Sequence, residues 1–176
     1  MRYKTLGTTG EKLSALTLGT WGIGGTGWGE TSQSNSLAAI DRMLELGVNL
    51  VDTAPVYGFG NPGEQDFGFG CAERLLAKAL KGRRDKVFLV TKCGLNYDRS
   101  KGPSSAYRSM SAQEIREGCE NSLRRLGTDY LDLLLVHWPD GKTPLEEVAQ
   151  AMEDLIRRGL IKYYGVSNFS VEDTLR

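Results

Sequence analysis

The chain has 176 residues, 22 Lys and Arg against 22 Asp and Glu, one His and three Cys; 40% of it is hydrophobic and 25% charged. This ordinary globular composition excludes disorder and fibrous repeats, and one domain over residues 1–176 is expected. The zero net charge leaves no basic footprint for nucleic acid, and three Cys without a Cys-x-x-Cys pair beside a single His argue against a disulfide framework or a zinc cluster.

From the N-terminus, Met1 to Leu6 carries no signal-peptide apolar core, and no apolar run reaches the ~18 residues of a membrane span. A soluble, cytoplasmic protein is expected. Residues 3–6, a turn with Gly7 and Gly10, and Leu13 read as a hairpin leading into a first strand at 16–20. A polar, Gly-rich loop follows at 21–31. Residues 36–46 place Leu37, Ile40, Met43 and Leu44 at helical spacing, with Gly47 as the stop. Residues 48–54 read as the second strand, 72–80 as the second helix and 87–91 as the third strand. Ser111 with Glu114 has the pattern of a capping box and opens a helix to about residue 126. The run Leu131-Asp132-Leu133-Leu134-Leu135-Val136 reads as a buried strand. Pro144 opens a helix to 158, closed by Gly159. Residues 161–166 read as the fifth strand, and 171–176 as a helix barely begun.

Strands alternating with helices predict a parallel sheet in an α/β protein. Right-handed crossovers leave two architectures, an open doubly wound sheet or part of a (β/α)8 barrel. A closed eight-unit barrel needs at least ~200 residues, so this chain is too short for one. One repeat interrupts the rhythm: Gly58-Phe59-Gly60 recurs as Gly68-Phe69-Gly70, either by chance in a loop or as a small loop duplication.

In parallel α/β folds the chemistry gathers at the C-terminal ends of the strands. Those ends here are Gly19-Thr20-Trp21, Asp52-Thr53-Ala54 followed by Tyr57, Thr91-Lys92-Cys93, His137-Trp138-Pro139 and Ser167-Asn168. Singly, each has a structural reading: a turn or cap Asp, a solvated Lys, a structural His, a packing Trp. Together, Asp, Tyr, Lys and His suit acid–base work on a carbonyl. A Tyr hydroxyl has an ordinary pKa of ~10, and a nearby Lys ammonium lowers it. A Tyr so placed can protonate a carbonyl oxygen while a hydride reaches the carbon.

Asp52-Thr53-Ala54-Pro55-Val56-Tyr57-Gly58, Thr91-Lys92, Leu131 to Pro139 and Gly165-Val166-Ser167-Asn168-Phe169 resemble the aldo-keto reductases, as does the opening Leu16-Thr17-Leu18-Gly19-Thr20-Trp21. The resemblance spans the whole chain. It implies a (β/α)8 barrel that reduces aldehydes and ketones with NADPH. In that family's terms Tyr57 would be the general acid, Lys92 would depress its pKa, Asp52 would pair with Lys92, and His137 would orient the carbonyl. Ser167 and Asn168 would bind the nicotinamide carboxamide, with Thr20 and Trp21 near the same end of the cofactor. Trp138 would line the substrate pocket, and no metal is implied.

The family pattern continues for three further strands, which carry the residues that grip the cofactor's phosphates; none can be assigned on this chain. The expected form is therefore a partial (β/α)8 barrel of about five parallel strands with an N-terminal β-hairpin, open as a single chain. Its inner side chains, among them Leu133, Leu135 and Val51, are expected to need a cover, which predicts a homo-oligomer over the open barrel face. The Gly-Phe-Gly repeat also lengthens the stretch from Tyr57 to Glu73, beside the substrate mouth. Two other readings compete with the enzyme: a non-catalytic half-barrel that binds a partner, and a fragment of a longer reductase.

Overall fold

The apolar runs of the sequence pair side by side in a computed structural model, which describes residues 1–25, 27–29, 32–61 and 63–175. Parts of the predicted 21–31 loop and the end of the predicted 171–176 helix lie outside the described residues. In chain order, β1 (Tyr3–Thr5) and β2 (Lys12–Ser14) form the predicted antiparallel hairpin. Then come β3 (Thr17–Gly19), α1 (Gln33–Glu45), β4 (Leu50–Asp52), α2 (Cys71–Ala79) and β5 (Phe88–Cys93). A short ribbon follows, β6 (Leu95–Asn96) against β7 (Tyr107–Arg108). The chain continues through α3 (Ala112–Leu126), β8 (Leu131–Val136), α4 (Leu145–Arg157), β9 (Ile161–Val166) and α5 (Val171–Leu175).

Strands β3-β4-β5-β8-β9 make one parallel sheet in that order. A half-barrel results, with β3 and β9 as its edges. Several helix and strand bounds differ from the sequence reading by one to a few residues. Helix α1 starts before its apolar stripe, because the Ser32 hydroxyl accepts from the Asn35 N–H at 3.1 Å. At α3 only half of the capping box forms. Ser111 accepts from the Glu114 N–H, but the Glu114 carboxylate turns away to accept from the Tyr107 hydroxyl and Asn96 Nδ2. The β6–β7 ribbon was not predicted at all.

Two apolar layers flank the sheet. The larger lies between sheet and helices, with Ile40, Val51, Leu76, Leu89, Leu134, Met152 and Leu155 fully buried. Burying one such side chain is worth about 1.5–3 kcal/mol. The smaller layer is the inner face, where Leu13 of the hairpin packs with Phe88 and Val90 against Leu50, Leu133, Leu135 and Tyr163. Val51 was expected on this inner face and belongs to the outer one. Side chains alternate along a strand, and Asp52 faces the inner side, so its neighbour Val51 faces the helices. The hairpin closes the bottom of the half-barrel through Asn49, which accepts from the Ser14 N–H at 2.7 Å and donates to the Lys12 carbonyl at 2.9 Å.

Register brings the strand ends level. Asp52 pairs with Val90 and Lys92 with Leu135. The ladder then runs on past the strands: Thr20 N–H to Asp52 O, Thr53 N–H to Val90 O, His137 N–H to Cys93 O and Ser167 N–H to Val136 O. The chemistry-bearing residues therefore stand on one rim, the C-terminal one. Among the described residues no helix is long and apolar enough to cross a membrane.

Candidate active site

Lys92 organises the rim. Its ammonium donates to Asp52 Oδ2 at 2.7 Å and Oδ1 at 2.9 Å, to the Thr53 carbonyl at 2.9 Å and to the Tyr57 hydroxyl at 3.1 Å. The Tyr57 hydroxyl in turn donates to Asp52 Oδ1 at 3.2 Å. The ammonium also sits 4.9 Å from the Tyr57 ring centre. His137 sets its ring edge-on to Tyr57 with centroids 6.2 Å apart, and stacks on Trp138 at 3.7 Å. All four residues predicted for acid–base chemistry thus meet in one cluster.

The electrostatics depart from expectation at Tyr57. The resemblance implies a phenol made more acidic by Lys92. Instead burial, followed by the adjacent Asp52 carboxylate, pushes the Tyr57 hydroxyl well above its ordinary value. Burial leads, and the Lys92 charge already lies against both Asp52 oxygens, so little of it remains to favour phenolate. Lys92 itself is pushed down by burial, against the opposing pull of Asp52. Tyr57 is a phenol that keeps its proton at neutral pH.

Burial, then the charges of Lys92 and Arg108, lower His137 to about 3, so the imidazole is neutral. Its Nδ1 is buried without a hydrogen-bond partner among the described residues. This has a measurable consequence. The unfolded chain takes the His proton near 6.5 and the folded chain only near 3, so between these values the unfolded state binds more protons. Stability must fall as pH drops through that window, by up to about 1.4 kcal/mol per pH unit from this one group. His137→Gln is expected to show a shallower loss of urea midpoint across that window than the parent. Parallel losses in the two proteins would mean that His137 titrates normally.

The remaining predicted residues divide. Asn168 Nδ2 donates to the His137 carbonyl at 2.8 Å and to Ser167 Oγ at 3.0 Å, which ties the end of β9 to the His137 backbone. Asn168 holds this turn with φ of 60°, a conformation Asn tolerates. Trp21 lies over Tyr57 at 6.1 Å and exposes 57% of its surface on the rim. Thr20 does not reach the open face. It is fully buried, and its hydroxyl bonds Thr53 Oγ1 at 2.8 Å and the Asp52 carbonyl at 3.1 Å, so it holds the strand that presents Asp52.

The long stretch after Tyr57 leaves the cluster intact. Phe59 and Phe69 meet at 5.3 Å and both pack on Tyr97, at 4.7 and 5.2 Å. The repeated motif thus folds onto itself beside the rim. Gly70 N–H returns to the Pro55 carbonyl at 2.5 Å, and a Cβ at Gly68 would collide with the Gly58 carbonyl oxygen. The loop closes backbone to backbone, which only Gly permits there.

Two groups near the site escaped the sequence reading. Glu73, named in the sequence only as the end of the lengthened stretch, is fully buried and accepts from the Thr91 hydroxyl at 2.7 Å and from Arg125 Nε at 2.5 Å. Arg108, on the unpredicted ribbon, lies over the Trp138 ring at 5.4 Å. A buried acid at helical spacing opposite a distant Arg is visible only once the helices are docked.

Comparisons with known proteins agree with this layout. The model of the Aldo/keto reductase family matches residues 15–175. The chain is 43% identical over 180 residues to the aldo-keto reductase YhdN of Bacillus subtilis, covering 100% of this chain and 50% of that protein. It is 36% identical over 185 residues to the NADH-specific methylglyoxal reductase of Escherichia coli, covering 98% and 53%. Among solved structures, the holo form of the aldo-keto reductase AKR11C1 from Bacillus halodurans superposes with a TM-score of 0.81 at 34% identity, covering 96% of this chain and 51% of that one. The chain spans about half the length of the curated relatives it matches. Its five-stranded parallel half-barrel, with Lys92 joining Asp52 to Tyr57 on the C-terminal rim, belongs to the aldo-keto reductase family.

Proposed function

We propose that the chain reduces aldehydes or ketones to alcohols with NADPH, with Tyr57 as the general acid. The observation that carries this reading is the Lys92 ammonium, which meets the Asp52 carboxylate and the Tyr57 hydroxyl at once. The phenol holds its proton until a carbonyl oxygen gains negative charge and becomes the stronger base. Lys92, 3.1 Å from the phenol oxygen, then stabilises the phenolate left behind, and Asp52 keeps the ammonium aimed. Neutral His137 offers an imidazole N–H to the same carbonyl oxygen. Trp138, stacked on His137, walls that side of the substrate.

The residues at the end of β9 fit the carboxamide end of a nicotinamide cofactor. Asn168 uses Nδ2 internally, its Oδ1 meets no donor among the described residues, and the Ser167 hydroxyl lies beside it. Trp21 presents an exposed aromatic face next to Tyr57. When bound, the cofactor supplies the hydride. NADPH rests on the family resemblance, and the relative named NADH-specific makes NADH the competing outcome.

A second reading, a half-barrel that binds a partner rather than a substrate, is favoured by the open β9 edge, where Tyr164 and Val166 remain 38% and 39% exposed. On either reading we propose that the open face is covered in a homo-oligomer. Titration with NADPH and with NADH, followed by Trp fluorescence with light scattering on the same samples, tests both. Saturable micromolar NADPH binding by an oligomer is expected. No binding up to millimolar cofactor would sink the reductase reading, and a strictly monomeric species across micromolar concentrations would sink the oligomer.

A further inference from the structure

We propose that Arg108 selects carbonyl substrates that carry an anionic group, a carboxylate or a phosphate, beyond the reacting carbon. This deepens the reductase reading and rests on it. The ribbon β6–β7 is what aims the residue. Tyr107 donates its hydroxyl to Glu114 Oε1 at 2.8 Å and Asn96 donates to Glu114 Oε2, so this face of the ribbon is pinned to α3. Successive side chains on a strand point to opposite sides. Arg108 therefore points away from α3, and its guanidinium lies over Trp138.

Its separation from the candidate site is fixed by further hydrogen bonds. Ser109 N–H bonds the Gly94 carbonyl at 3.0 Å. Met110 N–H bonds Asp140 Oδ2 at 2.8 Å, and Asp140 lies in the same loop as His137 and Trp138. Asp140 also accepts from the Thr143 hydroxyl at 2.6 Å and from the backbone of Lys142 and Thr143 at 3.0 and 2.9 Å. Arg108 and Trp138 are thus mounted on one tied frame. From there the contacts run Arg108 to Trp138, Trp138 to His137 at 3.7 Å, and His137 to Tyr57 at 6.2 Å.

The chemistry of this Arg is open. It is exposed, and among the described residues no carboxylate lies within ion-pair distance of it. Stacking on an aromatic ring engages the face of the guanidinium and leaves its in-plane N–H donors available. Those donors match the two oxygens of a carboxylate or phosphate. A ring or short chain whose carbonyl sits between Tyr57 and His137 would pass over Trp138 and present its far end to Arg108.

The test uses para-carboxybenzaldehyde and para-formylphenyl phosphate as anionic probes, with the neutral methyl ester of the former as the matched control. Binding is read by Trp quenching with NADPH present, and turnover is recorded separately. The parent is expected to bind at least one anion on the order of tenfold more tightly than the ester, as charge-assisted hydrogen bonds allow. Arg108→Gln should erase that preference without weakening ester binding, and Arg108→Lys should keep part of it. The arm that binds separates carboxylate from phosphate. Equal binding of ester and anions by the parent, or a preference unchanged in Arg108→Gln, overturns the proposal while leaving the reductase reading standing. Failure of all three aldehydes to bind or react overturns both.

Discussion

Tyr57→Phe is expected to lower kcat for aldehyde reduction by about 10²–10⁴, the usual contribution of a positioned general acid. The fold should survive. The ring keeps its place against Trp21, and the Lys92–Asp52 pair at 2.7 Å does not involve the phenol oxygen. What is lost is the hydroxyl at 3.1 Å from Lys92 and 3.2 Å from Asp52, worth roughly 1 kcal/mol of stability. KM should move little, because the proton passes only in the transition state. The pH profile offers a second check. With His137 lowered to about 3 and Tyr57 raised by burial and Asp52, neither group changes charge across neutral pH. The parent's kcat should therefore show no inflection near the ordinary His value of 6.5. A Tyr57→Phe variant as fast as the parent would remove Tyr57 from the chemistry.

Much of this arrangement was legible in the sequence, and the exceptions have physical causes. Strands 131–136 and 161–166 were placed to the residue, because a largely apolar run in the first and an Ile-, Tyr- and Val-rich run just past Gly159 in the second are bounded by turn residues. Asp52, Lys92 and His137 could be picked out because parallel strands deliver their C-terminal ends to one rim. The start of α1 was hidden because polar residues form its first turn. The β6–β7 ribbon has two residues per strand, too few for alternation to register, and Arg108 was lost with it. The direction of the Tyr57 shift was not readable either. It depends on how deeply the phenol is buried and on how tightly Asp52 holds the neighbouring charge, and both are set by tertiary packing.

The largest effect on stability is expected at Glu73 and Arg125. Glu73 is fully buried on α2, and the Arg125 side chain reaching it from α3 is 15% exposed. The sequence makes room for this pair at Gly70, where a Cβ would collide with Arg125 Cδ. Removing one partner leaves a charge in the core without compensation, which typically costs about 3–5 kcal/mol. Against a total of about 5–15 kcal/mol this is a large fraction. Arg125→Met and Glu73→Leu are each expected to lower the urea midpoint severely. The double variant should be far more stable than the sum of the two, because two apolar side chains of similar size need no partner; the Thr91 hydroxyl, bonded to Glu73 at 2.7 Å, keeps a smaller cost. Additive losses across the four proteins would show that the pair is solvated rather than locked. The cycle also bears on the site. Thr91 precedes Lys92 on β5, so Glu73 holds from the helix side the strand that presents Lys92 on the inner side. Aldehyde turnover in the double variant then separates the two roles of the pair: stability restored without activity would assign Glu73 to the placement of Lys92, and both restored together would assign it to the fold alone.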